Sequence, residues 1–218
     1  MARFNPDEKH LNVVLIGNFN PRIFHPQWFA NHNIISEADF NYIVEGSDVL
    51  IHKQVAQFKS SWFHLEVTET RLQIICTQEA YFEMILDFLA STFSVLHHTP
   101  IQQMGINLTV RQRLDRSEDV ERFDTKFFTA KGYKDIDVEA QPFTMKLRFN
   151  SQENRVGTQC NFEITKTSKD AYFMNINQHF EIGKDTNGKD LVRTIGQYGR
   201  ESLNTNDQIL EKIIKSKN

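Results

Sequence analysis

The residues with the most chemistry to offer alternate along four runs in the second half of the chain. Asn107, Thr109 and Arg111 share one side of the first run. Lys146 and Arg148, then Asn161 and Glu163, then Asn175, Asn177, His179 and Glu181 do the same in the other three. Side chains two apart on a strand point to one face. These runs therefore set amides, cations, one imidazole and carboxylates on a common surface, whose chemistry is recognition of a polar or anionic partner. The candidate binding face is Asn107, Arg111, Lys146, Arg148, Asn175, Asn177 and His179. The bland reading of the same alternation is a solvated sheet face.

Catalytic chemistry has no positive case. The eight histidines (His10, His25, His32, His52, His64, His97, His98 and His179) form no H-x-H or H-x-x-x-H pair, so no metal ligand is assigned. His97 and His98 close a helix, where an imidazolium suits the negative end of the dipole. The stretch Lys184–Asp190 lacks the acidic series and closing Glu of a calcium loop. There is no nucleophile elbow, Walker loop or dinucleotide fingerprint. No catalytic residue and no cofactor is expected; a small-molecule enzyme would need a pocket near His98 and His179. Trp28, Trp62, Phe82 and Phe93 are the candidate interface aromatics, since aromatic side chains anchor protein–protein contacts.

Composition narrows the class. The chain has 218 residues, 39% hydrophobic, with 18 Phe against 5 Tyr and 2 Trp. Phe carries large apolar area and no polar handle, which predicts a thick aromatic core. A net charge of −3 disfavours phosphate-driven nucleic-acid binding, which needs surplus Lys and Arg. Cys76 and Cys160 sit in separate strands and read as free thiols. No signal-like N-terminus and no apolar run of membrane-spanning length is present, so a cytoplasmic protein without membrane association is expected.

The elements that must position these residues follow from periodicity. Leu11–Gly17 is nearly all apolar and reads as a strand covered on both faces. Pro26 opens a short helix and Ser36 caps another. Val49–Phe58 reads as a strand. Residues 62–67 and 71–77 form a hairpin pairing Val67 with Leu72, Leu65 with Ile74 and Phe63 with Cys76. A helix over 78–97, capped by Thr77, is apolar on more than one face and should be covered on two sides. After Pro100 comes the alternating strand 101–113. Then follow a helix capped by Ser117, a polar connection over 131–141, strands over 143–149, 158–166 and 171–182, a loop over 183–199, and an amphipathic helix from Asn204.

Residues 1–98 and 99–218 thus repeat one order of elements, β-α-β-β-β-α. The predicted fold is α+β: two such units, read as halves of one integrated domain, form largely antiparallel sheet with the long helices on one face, saddle-like or helix-grip-like. In element order this resembles the duplicated saddle of the TATA-binding protein and its relatives, whose DNA-reading function needs a basic concave face. Some short stretches are also similar in sequence to a sporadically distributed family of bacterial proteins without assigned function. They are Asn18-Phe19-Asn20-Pro21, His25-Pro26-Gln27-Trp28, Ser61-Trp62, His98-Thr99-Pro100-Ile101 and Met104-Gly105-Ile106-Asn107. That resemblance spans about residues 11–182 and implies no catalytic residues. The expected function is a non-enzymatic interaction or scaffold protein that binds a protein partner or itself. An accessory subunit of a bacterial multi-gene system such as phage defence would fit. Nucleic-acid or nucleotide binding through the sheet face is the alternative.

Overall fold

The computed structural model describes residues 6–46, 48–128, 143–150, 158–182 and 187–215. The strands are β1 (Glu8–Gly17), β2 (Leu50–Ile51), β3 (Val55–Lys59), β4 (His64–Thr68), β5 (Arg71–Cys76), β6 (Ile101–Arg113), β7 (Thr144–Asn150), β8 (Thr158–Lys166) and β9 (Ala171–Glu181). The helices are α1 (Pro26–Asn31), α2 (Glu37–Glu45), α3 (Phe82–Val95), α4 (Ser117–Phe127), α5 (Gly188–Thr194) and α6 (Arg200–Lys215). The fold is α+β. One antiparallel sheet runs β2-β3-β4-β5-β1-β6-β9-β8-β7. The lead strands β1 and β6 lie side by side at its centre, Leu11 opposite Leu108 and Val13 opposite Ile106. The expected connection over 131–141 lies outside the described residues.

The strands β1, β3–β6, β8 and β9 each bury an alternate set of side chains. Leu11, Val13 and Leu15 of β1 and Met104, Ile106, Leu108 and Val110 of β6 are buried, while Asn12, Val14 and Ile16 are half-buried. The apolar run 13–16 implies cover on both faces, but the described helices cover only one. β-Branched residues pack well against neighbours on a pleated surface, so Val14 and Ile16 find enough shelter within the sheet. The predicted hairpin register holds where the strands pair: Val67 faces Leu72 and Leu65 faces Ile74. The stretch 49–58 is itself a small hairpin, Leu50 opposite Gln57. The next turn is fixed by Ser60, whose buried hydroxyl accepts the N–H groups of Trp62 (3.2 Å) and Phe63 (3.0 Å).

The short helices begin as their residues dictate. Pro26 stands at the first turn of α1, and the Ser36 hydroxyl accepts the Asp39 N–H at 3.0 Å to cap α2. α1 and the residues before it deliver Phe29 and Phe24 to a ring cluster in which Phe29 stacks on Phe88 (5.0 Å between centroids), Phe63 meets the same Phe88 at a tilt (5.0 Å), and Phe24 meets Phe93 (6.5 Å). The Phe-rich composition is used here, on the helix side of the first half.

α3 is covered on two sides, by its own sheet and by α5 of the second half, with Ile85, Leu86, Phe88, Leu89 and Phe93 buried. It begins later than Thr77 suggests. A 3₁₀ turn (Glu79–Tyr81) leads into it, and no side chain caps it. Ser117 is likewise inside α4 rather than its cap. Arg116 takes that place and, with Arg122, binds the buried Asp119 carboxylate at 2.6 and 2.9 Å. The largest departure is the expected loop 183–199. From Gly188 onward it is helical, as α5 and then a π-helical turn (Ile195–Gly199) running into α6. Asn187 caps it, accepting the Lys189 N–H, and Leu191 and Ile195 are buried. α6 sits on β6 and β9, where Gln178 donates to Asn206 at 3.0 Å, both buried. Lys9 ties the layers together by pairing with both Glu79 and Asp207.

Both cysteines are free. Burial pushes the Cys160 thiol up to about 11 and raises that of Cys76 as well. Among the described residues no helix is long and apolar enough to cross a membrane.

Candidate functional site

On the uncovered side of the sheet, cross-strand register turns scattered asparagines into a row. Asn12 of β1 is opposite Asn107 of β6, Asn107 opposite Asn177 of β9, Asn177 opposite Asn161 of β8, and Asn161 opposite Arg148 of β7. Neighbouring strands are about 4.8 Å apart, within reach of side chains as short as Asn. The hydrogen bonds all run one way. Arg148 Nε donates to Asn161 Oδ1 (3.0 Å), Asn161 Nδ2 to Asn177 Oδ1 (3.4 Å), Asn177 Nδ2 to Asn107 Oδ1 (2.7 Å), and Asn107 Nδ2 to the Asn12 carbonyl (3.0 Å). Each side-chain amide carries two N–H groups and two lone pairs. Asn161, Asn177 and Asn107 thus each keep a donor and a lone pair beyond those used within the row.

A second row runs parallel to the first. Thr109 is opposite Asn175, Asn175 opposite Glu163, and Glu163 opposite Lys146. Asn175 donates to the Thr109 hydroxyl at 3.0 Å, and Lys146 pairs with Glu163 at 3.1 Å. The two rows line an open concavity of about 580 Å³, in which Lys146, Arg148, Asn107, Asn161, Asn175 and Asn177 converge. Six groups of the expected face and its flanks therefore meet in one place.

Arg111 and His179 lie on the same face but outside that concavity. Arg111 pairs with Glu8 at 3.2 Å through one terminal nitrogen, while its buried Nε has no partner among the described residues, and His179 lies 3.8 Å from Glu181. Among the described residues Arg148 has no carboxylate partner. Phe173, opposite Arg111 and Thr165, adds an exposed ring to this face.

No protein-family model matches the chain, and no curated protein matches it. The reading of the site therefore stands on its geometry.

The aromatic candidates are placed differently. Phe93 is fully buried, Phe82 and Trp62 are buried, and Trp28 is half-buried against Phe24 and Phe29. Trp62 uses its indole N–H on Asp39 at 2.9 Å, which ties the β3–β4 turn to α2. Their area is spent inside the chain's own core. On α3, Met84 and Val95 are the exposed large apolar residues, separated along the helix rather than forming a patch.

The two histidines considered for acid–base work do not converge either. His98 lies against His97 (4.0 Å between rings) in the turn after α3, whereas His179 is on the open face opposite Gly105 and Gln159. Among the described residues no three His, Cys, Asp or Glu side chains are arranged to hold a metal. A second concavity, of about 730 Å³, lies beside α4, but its central carboxylate is engaged. Asp124 accepts from the Tyr172 hydroxyl (2.9 Å) and pairs with Lys166 at 2.5 Å. Burial first, then this bond and the charges of Asp124 and Asp170, raise the Tyr172 phenol well above its ordinary range.

Proposed function

We propose that the protein is a non-enzymatic interaction protein that docks a protein partner on the open face of the second half of its sheet. The observation that supports this is the one-way amide row ending in Arg148. Asn is depleted in strands, where β-branched residues fit better. Placing four of them in register across the middle of a sheet opposes local preference. Departures of this kind concentrate where function outweighs stability. Self-association through an apolar helix face has less support, because α3 is covered by the chain itself. Phosphate-driven nucleic-acid binding has less support too. Glu163 and Glu8 neutralise two of the cations on the face, and the net charge is −3.

The test is co-purification from the native host using the tagged chain and a Lys146→Glu/Arg148→Glu variant. Both side chains are exposed, so losing the Lys146–Glu163 pair and setting a carboxylate opposite Glu163 should cost no more than about 1 kcal/mol, and the variant should still fold. A protein retained by the wild type and released by the variant is the expected result. Retention by both, or a nucleic acid as the only molecule released, counts against the reading.

A further inference from the structure

β7 ends the sheet, and its outer edge is unpaired among the described residues. Which backbone groups face outward follows from one bond. The Lys166 N–H donates to the Phe143 carbonyl at 2.9 Å, and Thr144 is opposite Thr165. Antiparallel ladders alternate between residues that bond their neighbour and residues that do not. Odd-numbered residues of β7 therefore bond β8, and Thr144, Lys146 and Arg148 turn their N–H and C=O groups to the open edge. The same even-numbered residues carry their side chains on the open face. Leu147, on the other side, is 40% exposed.

The opposite edge of the sheet differs. β2 is two residues long, and brevity is one way proteins blunt an edge. β7 is seven residues long and contains no proline.

We infer that β7 is a docking edge for an extended acidic segment of a partner protein, which joins the sheet as a further strand. This rests on the sheet-face reading above and specifies the partner's chemistry. Residues opposite Lys146 and Arg148 would be carboxylates, and the residue opposite Leu147 would be apolar. The segment would thus alternate acidic and apolar. Arg148 is prepared for such a contact. Its Nε is held by Asn161, and among the described residues the two terminal nitrogens have no carboxylate, which leaves them as a fork for one. Charge also argues against a second copy of this chain as the occupant. Antiparallel pairing of β7 with itself about Leu147 sets Lys146 opposite Arg148, and directly opposed like charges destabilise a strand pair. The edge cations thus act as gatekeepers against self-pairing, while Arg148, with no carboxylate partner among the described residues, attracts an acidic strand, and the exposed Lys146 ammonium, with three N–H donors, can share itself between Glu163 and an incoming carboxylate.

The experiment uses the full chain and an end-capped peptide of alternating Glu and Val, of about seven residues to match the edge, followed by fluorescence anisotropy at low salt. The peptide is expected to bind, and its Lys–Val counterpart is not. Lys146→Gln removes the charge but keeps the N–H, and should weaken binding about threefold. Lys146→Pro also removes an outward N–H that no described residue uses, and should weaken binding about tenfold further. A Glu–Val peptide N-methylated at alternate residues, tested on the wild-type chain, should lose binding without any question of misfolding.

Binding of the Lys–Val peptide as strongly as the Glu–Val one overturns the inference. So does undiminished binding of the N-methylated peptide, which would mean that the ligand lies across the face instead of extending the sheet. Failure of every peptide, while charge reversal still releases the native partner, overturns the edge and leaves the face reading standing.

Discussion

Phe93→Ala is expected to destabilise the protein by about 3–5 kcal/mol without changing its oligomeric state. The ring is fully buried and lies 6.3 Å from Phe19 and 6.5 Å from Phe24, centre to centre. Truncation removes buried area and leaves a cavity among rings that cannot all collapse into it. For a chain of this size the midpoint of thermal unfolding should fall by about 6–20 °C. Thermal unfolding with light scattering checks both parts. An unchanged midpoint with a lighter particle would mean that Phe93 serves an interface after all, as its place on an unusually apolar helix suggests from sequence.

Gly17→Ala has the second-largest expected effect. A Cβ at Gly17 would lie 2.3 Å from the Pro100 carbonyl oxygen and 3.2 Å from the Ile101 Cα. Both are backbone atoms, so no side chain can move aside. They belong to the start of β6, which Gly17 and Asn18 meet where the two halves join: the Asn18 N–H donates to the Pro100 carbonyl at 2.9 Å. Relief requires β1 and β6 to part at that end, at a cost of about 3 kcal/mol, or about 6–12 °C in midpoint. Gly196→Ala is the matched control, since nothing lies within 4 Å of its added Cβ. A Gly17→Ala midpoint equal to that of the control would show that the join is not tight.

How far the sequence reaches is visible in particular elements. The alternation of Met104, Ile106, Leu108 and Val110 against Asn107, Thr109 and Arg111 is enough to define β6 and its two faces. The β4–β5 register follows from two strands and a tight turn. α5 escapes because Gly196 and Gly199 read as chain breakers, although Leu191 and Ile195, four apart and both buried, carry the helical period. Thr77 misleads for a different reason. A Thr before an apolar run has the composition of an N-cap, and only the path of the chain shows that a 3₁₀ turn intervenes.

The site divides the same way. Asn107, Asn175 and Asn177 are legible as one face of single strands. The row that joins them to Asn12 and Asn161 depends on pairing between strands far apart in sequence, with 95 residues separating Asn12 from Asn107. No periodicity within a strand encodes that. Asn12 is missed altogether because its apolar neighbours make β1 look covered on both faces. Trp62, Phe82 and Phe93 read as possible anchors because residue type alone does not distinguish a core aromatic from an interface one.

On the proposed function, the amide row is kept for binding and not for stability. Thermal unfolding of an Asn161→Thr/Asn177→Thr variant tests this, since it replaces two strand-disfavoured residues with β-branched ones on a face no described helix covers. If the row serves a partner, the midpoint should stay level or rise by up to about 3 °C. A fall of more than about 5 °C would make the row a structural hydrogen-bond network and contradict the account.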